Sequence, residues 1–384
     1  MKTSKIKVLH FTYLINRNDF IDTVIRYANP VKFEMHAAVM TTESNIQNPQ
    51  YALQNIPLYT TTTELTFLGA IRTVFRLIPL LKKLKPEIIH AHHFYESFIA
   101  MLAIILSGTK TKLIVGRHYH NEFYLTAKGI KLRLYLFLEA LLHRFSSAVI
   151  APSSAIVTLL TDQKVAREKI YQIPYGFEFD NEKYREIPEE EKQTLRKEFD
   201  LSDKKVFVNI SRQSPVKGQA YLLQAIKEIG LEDKVVFVFV GSGSEHEKLK
   251  ILTQKLGIES RVRFTHWRKD GYKFLSLADA VIHPSLQEAF PQIMVEAMAM
   301  GKFLIITPVS GATDLVKHLT SGYLAEFKSP ESLTNAIRWF LGNLKEAQLI
   351  AETAKAKVRK DLAIEKIIGQ FEAVYERIAC YYGN

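Results

Sequence analysis

The chain has 384 residues, 47% of them apolar and 24% charged, with a formal net charge of +11. That length suits two globular domains, and the balanced composition excludes a disordered, collagenous or disulfide-stapled chain. The lone cysteine, Cys380, has no partner for an internal disulfide and fits a reducing compartment. The first residues run into a strand rather than into the apolar stretch of a signal peptide, so a cytoplasmic chain is expected. Residues 6–11, 87–92, 113–116 and 148–151 read as short buried strands in the first half. Residues 206–210, 235–240 and 280–285 do the same in the second half. Helical patterns separate these runs, which predicts α/β layers built on parallel sheets. Residues 98–106 are apolar but far short of the roughly 20 a membrane span needs, so they read as a core helix. The polar stretch 180–197 reads as loop and helix.

Charge is unevenly spread. Residues 1–170 hold 21 Lys and Arg against 11 Asp and Glu, so +10 of the net +11 lies there. Much of it sits on two amphipathic segments, 68–85 with Arg72, Arg76, Lys82, Lys83 and Lys85, and 128–144. Basic amphipathic helices lie on anionic lipid headgroups. The competing reading packs Leu77, Leu80, Leu81 and Leu84 on a sheet and leaves the cations solvated. With the asymmetry of the whole half, an anionic membrane surface is the expected partner and nucleic acid is not.

The most specific signal lies in residues 287–301, where Glu288 and Glu296 stand eight positions apart. Pro291 suits a first helical position and Gly301 a helix stop. Glu288 then precedes the helix and Glu296 lies inside it. Ile293, Met294, Val295, Ala297, Met298 and Ala299 leave that helix apolar nearly all round. Such a helix is buried, and its one carboxylate needs a partner or a cleft. A helix N-terminus favours an anion. Carboxylates around a phosphate-friendly helix end suit a nucleotide-sugar, whose hydroxyls they would hold.

This pattern resembles the E-x(7)-E motif of the retaining glycosyltransferases of family 4. Upstream, Ser211-Arg212-Gln213-Ser214-Pro215-Val216-Lys217-Gly218 is similar to that family's G-R-(x)4-K-G loop. Gly241-Ser242-Gly243 resembles its G-x-G turn, residues 173–178 its I-P-N-G-V-D segment, and residues 309–316 its G-G-x-x-E loop, with Asp314 for the Glu. The resemblance implies the GT-B fold: two facing Rossmann-like domains with parallel sheets, and a C-terminal helix crossing back to the first domain. It places an acceptor-binding domain at 1–175, completed by a helix at about 366–384, and a donor-binding domain at 176–365. It implies that Arg212 and Lys217 grip the donor diphosphate, Glu288 orients the sugar, Glu296 holds the ribose and His118 meets a sugar hydroxyl, with His120 the second match. Gly241, Phe290, Gln292 and Ile293 join the donor contacts. The implied activity moves a sugar, with retention, from a nucleotide-diphosphate sugar such as a UDP-sugar to a lipid-linked or cell-surface glycan precursor. It needs no metal or other cofactor, and its expected place is the cytoplasmic face of the plasma membrane.

Two features depart from the family. No glycine follows the first strand in residues 10–19, where a Gly-Gly turn is common, and Ala289 and Pro291 replace glycines flanking Phe290. A membrane-associated binding subunit without catalysis therefore stands as an alternative, and a GT-B sugar-nucleotide epimerase stands as another because fold does not fix function. A dehydrogenase does not, because no G-x-G-x-x-G follows the first strand. His90, His92, His93, His118 and His120 crowd the first half, but no cysteine or carboxylate beside them completes a zinc ligand set.

Overall fold

Strands that are apolar on both faces need cover on both, and parallel α/β layering supplies it. A computed structural model describes residues 5–13, 19–40, 54–61, 66–119, 128–201, 203–230 and 235–380. The chain divides into two compact units, residues 1–178 with 362–384, and residues 179–361.

The first unit holds a parallel sheet of seven strands among the described residues: β1 (Ile6–Thr12), β2 (Phe33–Val39), β3 (Leu58–Thr60), β4 (Ile88–His92), β5 (Lys112–Gly116), β6 (Ala148–Ala151) and β7 (Ile170–Gln172). Their order is β3-β2-β1-β4-β5-β6-β7. Among the described residues five helices connect them: α1 (Asp19–Tyr27), α2 (Phe67–Leu84), α3 (His93–Ser107), α4 (Gly129–Phe145) and α5 (Ser154–Asp162). Helix α3 packs between α2 and α4. Leu77 and Leu81 of α2 are fully buried while Arg72, Arg76, Lys82 and Lys83 face solvent, the amphipathic split read from the sequence.

The second unit carries, among the described residues, six parallel strands in the order β10-β9-β8-β11-β12-β13. They are β8 (Lys205–Ile210), β9 (Val235–Val240), β10 (Val262–Thr265), β11 (Ala280–His283), β12 (Phe303–Ile306) and β13 (Tyr323–Leu324). Its helices are α6 (Glu189–Glu198), α7 (Gln219–Ile229), α8 (His246–Leu256), α9 (Lys273–Leu277), α10 (Gln292–Ala299), α11 (Ala312–Leu315), α12 (Pro330–Gly342) and α13 (Leu344–Asp361). Phe207, Phe237, Phe239, Phe303 and Phe340 centre its core.

Helix α14 (Ile364–Cys380) belongs to the first unit and packs on α1, β1 and β4. Its approach is fixed by main chain: the Phe177 amide donates to Leu362 O at 2.9 Å and the Ile364 amide to Phe177 O at 3.0 Å. Gly176 leaves the room, since a Cβ there would lie 2.7 Å from Ile364 Cδ1.

In each sheet the strand order reverses at one place, between β1 and β4 and between β8 and β11. Ligands of open parallel sheets bind beyond the carboxyl ends of the strands at such reversals.

Candidate functional site

At the reversal of the second sheet, the loop after β8 carries Arg212 and Lys217, and the loop after β11 carries Glu288. Glycines bring these loops into backbone contact. Gly218 has φ +67° and a Cβ there would stand 2.0 Å from Pro284 O. The Leu286 amide donates to Val216 O at 2.7 Å, and Ser285 Oγ lies 3.1 Å from the same carbonyl. Gly241 and Gly243 do the same for the loop after β9, where Cβ atoms would lie 2.2 Å from Ser211 O and 2.1 Å from Gln213 O. The G-x-G is therefore a demand for close main-chain approach rather than a turn alone.

Lys217 Nζ forms an ion pair directly with Glu288, both side chains largely buried. Glu288 also takes hydrogen bonds from His283 Nε2 at 2.9 Å and Ser285 Oγ at 3.1 Å. Burial alone would raise the Glu288 carboxyl. The His283 hydrogen bond and the Lys217 charge outweigh it and hold the group at about 2, so it is a carboxylate at neutral pH. His283, the last residue of β11, lay inside a strand legible in the sequence but drew no role there. Its position at a strand's carboxyl end, five residues before Glu288, was the available signal.

Helix α10 starts at Gln292, with Pro291 at the cap in extended conformation rather than at the first helical position. No side chain caps it. Ile293 through Val295 and Ala297 through Ala299 are buried, as their pattern requires. Glu296 keeps 23% of its side chain exposed, with Lys183 Nζ at 3.8 Å. Gly311, at φ +80°, meets the Phe290 ring, which a Cβ would approach to 2.6 Å. Phe290 is thereby seated between the loop after β12 and the start of α10. Arg212 is exposed.

In the first unit the reversal is filled with imidazole. Register places His10 beside His90 on neighbouring strands, and His92 follows two residues on. His10 Nδ1 and His92 Nε2 are 3.1 Å apart, and His92 Nδ1 and His118 Nε2 are 2.9 Å apart. His118 Nδ1 lies 3.1 Å from the Tyr175 hydroxyl. His90 Nδ1 is 2.9 Å and His10 Nε2 3.3 Å from the hydroxyl of Tyr375 on α14. The sequence reading grouped His90, His92 and His118 but missed His10, which the β1–β4 pairing supplies. His120 lies outside the described residues, as does most of the glycine-free segment after β1. Glu96 at the start of α3 accepts the Tyr13 amide at 3.0 Å; burial pushes its carboxyl up to about 7.

Residues 21–181 match the family described as Glycosyltransferase Family 4, and residues 191–357 match Glycosyl transferases group 1. The chain is 27% identical over 293 residues to N-acetyl-alpha-D-glucosaminyl L-malate synthase of Bacillus anthracis, covering 75% of this chain and 74% of that one. It is 27% identical over 313 residues to UDP-Gal:alpha-D-GlcNAc-diphosphoundecaprenol alpha-1,3-galactosyltransferase of Escherichia coli, covering 79% of each. Among solved structures, the Anabaena protein HepE in complex with UDP superposes with TM-score 0.81 at 22% identity, over 97% of this chain and 100% of that one. Two adjoining family matches, two reversed-order parallel sheets and the returning helix α14 agree, and the chain belongs to the family 4 glycosyltransferases of GT-B fold.

Proposed function

We propose that the protein transfers a sugar, with retention of configuration, from a UDP-sugar to a lipid-linked glycan precursor. The observation that carries this reading is the Lys217–Glu288–His283 cluster beside the uncapped start of α10, at the carboxyl ends of β8 and β11. Arg212 and Lys217 meet the diphosphate as it leaves, since fixed cations stabilise developing phosphate charge without a dedicated metal. Glu288, held ionised, accepts hydroxyls of the sugar, Glu296 accepts those of the ribose, and His118 contacts a sugar hydroxyl. The acceptor oxygen forms its bond on the face the diphosphate vacates, and the departing diphosphate takes the acceptor's proton. Likeness to a fold solved with UDP and to a relative named for a UDP-sugar supports the choice of base.

A panel of UDP-, GDP- and ADP-sugars, read by thermal shift, should stabilise the protein with UDP-sugars foremost. Glu296→Gln should weaken that donor by about tenfold, in line with the roughly 1.5–3 kcal/mol of a hydrogen bond to a charged group. A fold that no nucleotide-sugar stabilises would remove the donor site. Inverted anomeric configuration in the product would remove retention.

The acceptor is met at an anionic membrane, and helix α4 supplies the contact in this proposal. Ile130, Leu134, Phe137, Leu141 and Phe145 recur at spacings of three and four, giving one stripe. All five are exposed, Ile130 by 83% and Phe137 by 65%. Lys128, Lys131, Arg133 and Arg144 are exposed on the same helix and its cap. The opposite side anchors α4 through buried Leu142 and the buried Glu139–Arg117 ion pair. A soluble helix rarely leaves so long an apolar stripe uncovered. Each cation adds about 1 kcal/mol on an anionic surface. No described helix is long and apolar enough to cross a membrane. Leu134→Gln with Phe137→Gln should reduce sedimentation with phosphatidylglycerol vesicles at least tenfold without changing donor affinity. Unchanged sedimentation would make the acceptor a soluble one.

A further inference from the structure

The imidazoles of the first unit are more ordered than a cluster of polar side chains sharing a core. Each hydrogen bond between two of them carries one proton, and each neutral imidazole owns one N–H. Burial depresses His10 to about 3 and puts His90, His92 and His118 well below their ordinary value, so all four are neutral at physiological pH. Two proton arrangements then satisfy every contact from Tyr375 to Tyr175. In one, the Tyr375 hydroxyl donates to His10 Nε2, His10 Nδ1–H to His92 Nε2, His92 Nδ1–H to His118 Nε2, and His118 Nδ1–H to the Tyr175 oxygen. The other reverses every step.

His90 decides between them. Its Nδ1 meets the same Tyr375 hydroxyl, and its Nε2 is buried without a partner among the described residues. When Tyr375 donates to His10, His90 must donate from Nδ1 to the Tyr375 oxygen, and its Nε2 is a bare lone pair. In the reverse arrangement His90 Nε2 carries a hydrogen with nothing to receive it. Stranded buried donors are the rarer and costlier fault.

We propose that Tyr375, His10 and His92 are positioning residues that fix His118 as an Nδ1–H donor, aimed at Tyr175 and at the sugar hydroxyl that takes Tyr175's place. The sugar-directed half rests on the glycosyltransferase reading; the hydrogen-bonded chain does not. Three further observations support it. Gly116 ends β5 where a Cβ would stand 2.4 Å from His118 Nε2 and 3.0 Å from His92 Nδ1, so the strand leaves the gap in which those rings meet. The Phe20 ring stacks on Tyr175 at 3.9 Å and 7°, holding the hydroxyl over His118. Both nitrogens of His118 are occupied, so a sugar reaches its Nδ1 only by displacing Tyr175. The chain closes internally on Tyr375, whose phenol burial pushes far up. It therefore sets a tautomer and is not a conduit for protons.

A zinc ion is the competing occupant, since His10, His90 and His92 have nitrogens within 4.8 Å of one another. Binding there would break the contacts just described and bury a dication that no carboxylate among the described residues joins as a ligand.

Protein labelled with 15N-histidine should show His10, His90, His92 and His118 all protonated on Nδ1, the minor form of free histidine. Nε2–H signals for these four, or one zinc per purified chain, would overturn the proposal. His92→Asn, whose amide N–H overlays Nδ1–H, should keep His118 protonated on Nδ1 with kcat near that of the parent. His92→Asp, whose carboxylate accepts where Nδ1–H donated, should move the His118 hydrogen to Nε2 and lower kcat about tenfold with little change in donor KM. A His118 Nε2 that carries no hydrogen in His92→Asp would also overturn it. Absence of any sugar transfer, with the Nδ1–H signals present, would strike the functional reading alone.

Discussion

Alanine at Glu288 is expected to cost about 3 kcal/mol of stability and to abolish turnover. The carboxylate receives Lys217, His283 and Ser285 together, and the Lys217 and Glu288 side chains keep only 16% and 15% exposure. Removing one partner of a buried pair strands the other charge, which costs about 3–5 kcal/mol when burial is complete. Residual exposure sets the lower end. Lys217→Ala should cost less, because Glu288 keeps its hydrogen bonds from His283 and Ser285. The double variant should be little worse than Glu288→Ala, since the stranded ammonium is then gone. Urea unfolding of the three variants measures this, and additive costs would show that Lys217 and Glu288 do not act as a pair.

Mild acid is expected to destabilise the first unit steeply, before ordinary carboxylates titrate. His10, His90 and His92 are buried and neutral in the fold, while in the unfolded chain they take up protons below about pH 6.5. Their contribution is complete above that pH and is lost as pH falls through it, at about 1.4 kcal/mol per unit each, or about 4 together. Glu96 opposes them. Its folded carboxyl, raised to about 7, holds a proton that the unfolded chain releases, so it adds stability as pH drops through 7 toward 4.5. These four groups together give a slope of about 3 kcal/mol per unit, and His118 and His143, whose imidazoles burial also depresses, steepen it. Urea midpoints at about pH 7 and pH 5.5 should differ strongly. Equal midpoints would mean that these imidazoles are not buried neutral.

The strands legible in the sequence were short runs rich in Val, Ile and Leu, some crossed by one polar residue such as Asn209, while the unbroken run Phe303–Ile306 of β12 was passed over. Residues 235–240 and 280–283 are buried throughout because each lies inside its sheet. Strand β2 was missed because Glu34 and His36 interrupt its run, and β10 because Arg263 does. β13 has two residues, too few for any period. At the site, Glu288, Glu296 and Lys217 stood out through spacing along one chain. The pairing of Lys217 with Glu288 did not, since it depends on Gly218 pressing on Pro284 across 66 residues of sequence. His10 was invisible for the same reason: its partners arrive with β4 and α14, and no local pattern announces them. The loop that reads as glycine-poor after β1 is tied at its start by Glu96 to the Tyr13 amide.

Gly218, Gly241 and Gly243 press three loops together main chain to main chain, with no side chain between them. An inserted residue in any of these loops would therefore have nowhere to go, whereas an exposed side chain that makes no contact across the loops can be exchanged without moving the backbone. Substitutions at such exposed positions, Ser242 among them, should therefore be tolerated more readily than any change of loop length. For redesign, that makes the second unit a platform of fixed backbone on which exposed side chains can be changed one residue at a time.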